Sequence, residues 1–160
     1  MDVPSLVSGL VLMEVIIFIG IQATGKSTFY MKRFFKTHIR INLDMLKTRH
    51  REKELFLKCL ELKQPLVVDN TNATRKDRQR YIPYAKEHGF KITAYYFRSK
   101  LADALNRNEK RKQAEAIPEA GIRATFSKLE LPSFDEGFDQ LSYVYLDGNN
   151  KYTVEGWKDG

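Results

Sequence analysis

A short apolar run that leads straight into a loop and a helix constrains the fold of this chain more than any other feature. Residues Val15 to Ile19 are all apolar, as in a central parallel strand that is buried on both faces. The sequence continues as "GIQATGKST", and residues Ser27 to Phe35 have the pattern of a helix. This order predicts an α/β fold of three layers, with a parallel sheet and helices on both of its faces.

The loop fits the phosphate-binding pattern G-x-x-x-x-G-K-[ST] from Gly20 to Ser27, which predicts a P-loop NTPase fold and a bound nucleoside triphosphate. Gly20 and Gly25 let backbone N–H groups turn inward around phosphate oxygens, and Lys26 reaches the β and γ phosphates. The Ser27 hydroxyl is suited to bind Mg²⁺. A chance match is the alternative, but the loop follows a buried strand and opens a helix. The residues predicted to bind nucleotide are Gly20, Ala23, Thr24, Gly25, Lys26, Ser27 and Thr28.

Strand and helix patterns alternate along the rest of the chain. Further strands are predicted over residues 38–42, 66–69, 91–97 and 143–146, and helices over 45–62, 74–89 and 101–113 and from Pro118 onward. Thr74 and Asp77 resemble a capping box, and Pro83 should kink or split the helix that ends at Gly89. Residues 131–141 read as a loop. We expect residues 13–147 to form one P-loop domain and residues 148–160 to form a hairpin or a frayed tail.

The first residues, "MDVPSLVSGLVLM", are apolar but do not resemble a targeting segment. No basic residue precedes them, Pro4 and Gly9 interrupt them, and Glu14 ends the run before the ~20 residues that a membrane span needs. We therefore expect no membrane association. Our hypothesis is that Met13 is the physiological start and that residues 1–12 are dispensable.

Charge and cysteine content indicate the class of partner and the compartment. Of the 160 residues, 27 are Lys or Arg and 20 are Asp or Glu, which gives a net charge of +7 and favours polyanionic partners. A bound triphosphate already accounts for part of this excess. The single cysteine, Cys59, has no partner for an internal disulfide and falls on the apolar stripe of a predicted helix. A buried thiol in a cytoplasmic protein is the expected outcome.

A second signal for Mg²⁺ lies in "PLVVD", an apolar strand that ends at Asp69. A carboxylate at the end of a strand next to the phosphate loop can hold Mg²⁺ directly or through water. The alternative is that Asp69 only caps a turn. The chain has no Asn-Lys-x-Asp signature for guanine, so ATP is the expected nucleotide.

Candidate residues for the phosphate acceptor lie in "RINLDMLK". Asp44 follows the second predicted strand, where it can take a proton from a substrate hydroxyl. Lys47 is three residues further on and is expected on the same helical face, where it can hold a phosphate of the acceptor. The alternative is that Asp44 is only the N-cap of the helix.

The basic helix "LNRNEKRKQ" is predicted to act as a lid. Arg107 and Arg111 are four residues apart and should share a helical face, which suits a clamp on the triphosphate and charge stabilisation during transfer. A solvated charged face is the alternative, and the nearby Glu109 favours it. The position after the fourth predicted strand favours the lid.

With these segments in order, the chain resembles the polynucleotide 5′-hydroxyl kinase branch of the P-loop phosphotransferases. The matching segments are "GIQATGKST", "RINLDMLK", "VVDNTNATRKDR", "NRNEKR" and "KLELPSFDEGFDQL". The resemblance implies that Asp44 is the general base, that Lys47 contacts the phosphate beside the 5′-hydroxyl, and that Arg107 and Arg111 contact ATP. It also assigns the acceptor site to Asp69, Asn70, Thr71 and Asn72. Lys47 stands where the family usually has arginine, so a bidentate fork is replaced by a point charge.

The sequence therefore predicts an enzyme that uses ATP and Mg²⁺ to phosphorylate a 5′-hydroxyl end of DNA or RNA. The residues expected to act in catalysis are Lys26, Asp44, Arg107 and Arg111, with Ser27 and Asp69 at the metal. Two alternatives stay open, namely a kinase of sugar-like or nucleoside-like alcohols and an ATP-binding regulator with little turnover. The sequence does not decide between DNA and RNA or fix the oligomeric state.

Overall fold

The computed structural model describes residues 12–111 and 115–158. The described residues form a six-stranded sheet in the order β2-β3-β1-β4-β5-β6, in which β6 is antiparallel to β5 and the other neighbours are parallel. The strands are β1 (Glu14–Ile19), β2 (Ile39–Ile41), β3 (Leu66–Val68), β4 (Lys91–Phe97), β5 (Gln140–Leu146) and β6 (Tyr152–Gly156). The helices are α1 (Lys26–Arg33), α2 (Leu43–Leu46), α3 (Arg49–Glu61), α4 (Arg75–Arg78), α5 (Ile82–Glu87), α6 (Leu101–Glu109) and α7 (Glu119–Lys128).

Strand β1 lies at the centre of the sheet and separates two apolar cores. Val15, Ile17 and Ile19 face a core formed with α3 and α5, whereas Ile16 and Phe18 face an aromatic core with α1. All five side chains are fully buried, because both faces of a parallel sheet are covered by helices. The predicted three-layer α/β fold is confirmed. Cys59 is buried in the first core, as predicted.

The predicted helix over residues 45–62 is wrong, because the structure has two helices there. Helix α2 ends at Leu46, and Lys47 has a positive φ of 76° that no α-helix contains. Thr48 is extended and accepts a hydrogen bond from the Arg51 N–H, so it caps a new helix, α3.

The remaining elements largely follow the sequence pattern. The Thr74–Asp77 capping box is present, and the helix containing Pro83 is split into α4 and α5. Helix α6 ends at Glu109, before the predicted end at residue 113, and residues 112–114 lie outside the described part of the chain. The predicted loop at 131–141 contains a 3₁₀ turn at Phe134–Glu136, and β5 begins before residue 143.

Both ends of the described chain join the sheet. The carbonyl of Met13 accepts a hydrogen bond from the Lys91 N–H, and residues 1–11 of the predicted dispensable extension lie outside the described residues. The tail was predicted to form either a hairpin or a frayed end, and it forms a hairpin, since β6 pairs with β5. Trp157 packs on the Tyr96 ring, with 5.4 Å between the ring centroids. Within residues 12–111 and 115–158, no helix combines the length and apolar character needed to cross a membrane.

Candidate functional site

The phosphate-binding loop lies between β1 and α1 and opens onto a cavity of about 430 Å³. Gly25 has a φ of 93°, and a Cβ at this position would lie 2.9 Å from the Tyr152 hydroxyl oxygen. Glycine is therefore required here for both backbone conformation and space. The Tyr152 hydroxyl donates to the Gly25 carbonyl at 2.7 Å, so the C-terminal hairpin supports the loop.

Lys26 is buried within this loop. Its Nζ donates to the carbonyls of Gly20 and Ile21 at 2.9 and 2.6 Å. Loss of water around the ammonium lowers the pKa of Lys26 to about 8, although the negative charge of Asp69 partly opposes this effect. An ammonium that is poorly solvated in the free protein gains strongly from a phosphate anion brought next to it.

Ser27 and Asp69, the two predicted metal ligands, lie side by side. The Ser27 Oγ donates to the Asp69 Oδ2 at 3.1 Å. A hydroxyl and a carboxylate at a phosphate site are hard oxygen donors that suit Mg²⁺. The described residues contain no cluster of three His, Cys, Asp or Glu side chains that could hold a metal by itself.

Arg40 on β2 contacts both of these oxygens and was not assigned a role from the sequence. Its Nε donates to the Asp69 Oδ2 at 2.8 Å, and its Nη2 donates to the Ser27 Oγ at 2.9 Å. The guanidinium thus supplies positive charge between the hydroxyl and the carboxylate. The sequence did contain a signal for Arg40, since it is a basic residue within a short predicted strand.

Asp44 lines the same cavity as Lys26, Ser27 and Asp69. It is exposed in the first turn of α2, and within the described residues its carboxylate makes no hydrogen bond or ion pair. The N-cap of α2 is Asn42, whose side chain accepts from the Met45 N–H at 2.9 Å. The alternative in which Asp44 is the cap is therefore wrong.

Lys47 does not share a helical face with Asp44, contrary to the prediction. It follows the last residue of α2 and has a positive φ, which takes it out of the helical repeat. It is exposed and does not line the cavity that Asp44 lines.

The segment after β3 forms a wall of the cavity and holds the neighbouring elements in place. Asn70 Oδ1 accepts from the Leu43 N–H at 2.8 Å, and the Thr71 carbonyl accepts from the Gly20 N–H at 2.9 Å. The buried Asn72 side chain donates to the Phe18 carbonyl at 2.8 Å. These residues join β1, the phosphate loop and α2 at one edge of the sheet.

A buried carboxylate behind this wall was missed by sequence reasoning. Glu52 accepts hydrogen bonds from the Arg49 Nη1 at 2.7 Å, from the Tyr81 hydroxyl at 3.0 Å and from the Asn70 amide at 2.8 Å. Burial and the adjacent Glu52 carboxylate raise the pKa of Tyr81 to about 12. Tyr81 therefore stays a hydrogen-bond donor at neutral pH.

The two arginines of the predicted lid lie near the phosphate loop. Arg107 Nη1 donates to the Ala23 carbonyl at 3.3 Å, and Arg111 lines the 430 Å³ cavity. Both also line a neighbouring cavity of about 330 Å³ beside Tyr152. Because α6 ends at Glu109, Arg111 lies beyond the helix, and the prediction that the two arginines share a helical face is wrong.

A family model described as AAA domain matches residues 42–132. The bifunctional polynucleotide phosphatase/kinase of Schizosaccharomyces pombe is 27% identical over 135 residues, which cover 82% of this chain and 33% of that protein. The chain thus spans about a third of the length of this curated relative.

Two solved structures share the fold at low sequence identity. Kti12 of Chaetomium thermophilum, in complex with ADP-AlF3, has a TM-score of 0.64 at 13% identity over 85% of this chain and 92% of that chain. A gluconokinase of Sinorhizobium meliloti has a TM-score of 0.58 at 16% identity, over 83% of this chain and 82% of the gluconokinase chain. The AAA domain match covers more than half of the chain, and the phosphate loop precedes the matched range. By this match and by its P-loop NTPase fold, the chain belongs to the AAA domain family.

Proposed function

We propose that this protein is a kinase that uses ATP and Mg²⁺ to phosphorylate a 5′-hydroxyl end of DNA or RNA. The observation that carries the proposal is the position of Asp44, whose unpaired carboxylate lines the cavity that Lys26 and Ser27 also line. A site that only holds a nucleotide needs no such group. The similarity to a polynucleotide phosphatase/kinase supports the choice of acceptor.

The donor side of the reaction is assigned to the phosphate loop and the lid. ATP binds with its β and γ phosphates on the loop N–H groups and on Lys26, and Arg107 and Arg111 bind from the lid side. Ser27 and Asp69 would hold Mg²⁺, which supplies positive charge to the transferring phosphoryl group. The crystal structure of Kti12 with ADP-AlF3 supports nucleotide binding by this fold.

The acceptor side is assigned to α2 and to the segment after β3. The Asp44 carboxylate accepts the proton of the 5′-hydroxyl as its oxygen forms a bond to the γ phosphorus. The bond between the γ phosphorus and the bridging oxygen breaks, and ADP leaves. Lys47, which is exposed directly after α2, binds a phosphate of the acceptor that lies outside the cavity. Asp69, Asn70, Thr71 and Asn72 shape the wall against which the acceptor lies.

Transfer of label from γ-labelled ATP tests this function. In the presence of Mg²⁺, an oligonucleotide with a 5′-hydroxyl should be labelled and a matched oligonucleotide with a 5′-phosphate should not. Asp44→Asn should reduce transfer by about 10²-fold or more while nucleotide affinity is nearly kept. Glu87→Gln, an exposed carboxylate on α5, is the control and should have no effect. Full activity of Asp44→Asn would contradict the role of Asp44.

A small-molecule kinase is the second candidate, because the gluconokinase shares the fold over 83% of this chain. Label on gluconate or another sugar-like alcohol, with none on either oligonucleotide, would support it. Nucleotide binding without transfer to any acceptor would support an ATP-binding regulator.

We also propose that residues 13–147 carry the catalytic residues, with the tail supporting the phosphate loop through Tyr152, and that residues 1–12 are dispensable. Met13 already joins the sheet through Lys91. A chain that begins at Met13 should fold and bind nucleotide as well as the full chain does, measured by thermal unfolding and by nucleotide titration. Loss of folding would contradict the proposed boundary.

A further inference from the structure

A second cavity, of about 570 Å³, lies beside the candidate active site between α3 and the pair α4 and α5. We call it the α3–α5 groove and define it by its basic and aromatic lining residues. The basic residues are Arg49, Lys53, Lys76 and Arg80, and the aromatic ones are Phe56, Tyr81 and Tyr84.

The groove carries a net positive charge, and two of its four basic side chains have no ion-pair partner among the described residues. Arg49 pairs with Glu52 and Arg80 pairs with Asp77. Lys53 and Lys76 are exposed, and among the described residues neither forms an ion pair or a side-chain hydrogen bond. Two free ammonium groups along one groove attract a chain of phosphates, whose condensed counterions are released on binding.

The groove also presents one exposed aromatic ring, that of Tyr84. The Tyr84 side chain is 39% exposed, and its hydroxyl makes no hydrogen bond within the described residues. Phe56 is buried at the base of the groove. An exposed aromatic ring near positive charges can stack on an unpaired base while the cations bind the backbone phosphates.

The groove adjoins the acceptor side of the candidate active site. Arg49 lines both cavities. Glu52 connects their walls, since it accepts hydrogen bonds from Tyr81 in the groove and from Asn70 beside Asp44. This adjacency gives a strand whose 5′-end lies at Asp44 a path past Arg49 toward the groove.

We propose that the α3–α5 groove binds the single-stranded part of a polynucleotide that follows the reacting 5′-end. Lys53 and Lys76 bind its phosphates, and Tyr84 stacks on one of its bases. This proposal rests on the proposed function and adds the path of the acceptor. Unpaired bases are required, because a duplex hides the faces on which Tyr84 would stack.

Comparison of short and long acceptors tests the groove directly. A nucleoside 3′-monophosphate occupies only the active site, whereas an oligonucleotide of about ten nucleotides also fills the groove. In the double variant Lys53→Glu/Lys76→Glu, kcat/KM for the long acceptor should fall about tenfold or more. For the short acceptor it should change less than about twofold, since these lysines lie outside the site of transfer.

The control is the double variant Lys36→Glu/Lys63→Glu. It makes the same change in net charge at exposed lysines that line neither cavity. Tyr84→Ala should lower the affinity for the long acceptor by about tenfold. Tyr84→Phe keeps the ring and should bind the long acceptor as tightly as the wild type does. The slope of log affinity against log salt should become shallower by about 1.4 in the Lys53/Lys76 variant, because two phosphate contacts to a single strand are lost.

Direct binding separates failure of the groove from failure of the proposed function. If oligonucleotides are phosphorylated but the Lys53/Lys76 variant treats long and short acceptors as the wild type does, the groove proposal is wrong and the kinase stands. If no acceptor is phosphorylated, the kinase is wrong, and fluorescence anisotropy with a labelled oligonucleotide decides on the groove. Equal affinity of wild type and variant overturns it, as does a groove that binds polyglutamate in preference to the oligonucleotide.

Discussion

Replacing Glu136 by glutamine tests how the wall of the site is held. Arg78 and Glu136 are both buried and form a bidentate ion pair, with Nε–Oε1 and Nη2–Oε2 distances of 2.7 and 3.0 Å. Arg78 Nη1 also donates to the carbonyls of Asn72, Ala73 and Glu130. Glu136→Gln keeps the shape of the side chain but leaves the buried guanidinium without a counter-charge.

The expected loss follows from the burial of the pair. Removing one partner of a buried ion pair costs about 3–5 kcal/mol of unfolding free energy, because the other charge stays desolvated. For a chain of this size each kcal/mol lowers the unfolding temperature by about 2–4 °C. Glu136→Gln should therefore lower the midpoint by roughly 6–20 °C.

Calorimetry and urea unfolding measure this loss, and the neighbouring residue provides the control. Asp135 pairs with Arg75 at 3.1 Å on the exposed surface, where water and salt screen the interaction, so Asp135→Asn should leave the midpoint nearly unchanged. A loss below about 1 kcal/mol in Glu136→Gln would refute the reasoning, since it would mean that the site relaxes to hydrate Arg78.

Two further predictions concern the phosphate loop. Because burial lowers the pKa of Lys26 to about 8 in the free protein, while a bound triphosphate favours its charged form, nucleotide affinity should fall by up to tenfold per pH unit above pH 8. Calorimetric titration in buffers of different ionisation enthalpy should show proton uptake, and Lys26→Met should abolish both effects; a flat profile from pH 7 to about 9 would contradict the assignment. Arg40→Gln removes a cation from the Ser27 and Asp69 oxygens, so the Mg²⁺ concentration that half-saturates binding of a fluorescent ATP analogue should fall severalfold. A higher Mg²⁺ requirement would show instead that Arg40 positions these ligands.

The sheet could be predicted from sequence because burial on both faces leaves a strong pattern. Residues 15–19 of β1 and all of β3 are buried on both faces and are apolar throughout. The short runs that begin at Val15 and Leu66 are therefore visible without any structure. The phosphate loop was equally accessible, since its glycines and Lys26 lie within one short segment. A site of this kind can be identified from the spacing of its residues along the chain.

The break between α2 and α3 left no comparable signal. Thr74 was recognised as a cap because Asp77, three residues later, completes a capping box. Thr48 caps α3 in the same way, but the residue three positions later is Arg51, which has no carboxylate to return the hydrogen bond. The positive φ of Lys47 was also hidden, because residues other than glycine rarely adopt it.

Long-range polar partners were hidden for a different reason. Arg40 and Asp69 are 29 residues apart, and Arg78 and Glu136 are 58 residues apart. Nothing in either segment alone distinguishes a charge that will be buried and paired from one that will face water. Such pairs follow from the order of the strands in the sheet, which local periodicity does not determine.

The break at Lys47 explains why two nearby carboxylates have opposite environments. Helix α3 begins anew at Arg49, so Glu52 turns inward to three hydrogen-bond donors, whereas Asp44 stays in a separate short helix with none among the described residues. A helix of four residues is not stable by itself. Two hydrogen bonds hold helix α2 in place. The Asn42 side-chain amide donates to the Asp69 carbonyl, and the backbone N–H of Leu43, the first residue of α2, donates to the Asn70 side chain. The segment after β3 therefore sets the position of Asp44, the proposed general base. The side-chain amides of Asn70 and Asn72 in this segment are themselves hydrogen-bonded to neighbouring parts of the fold.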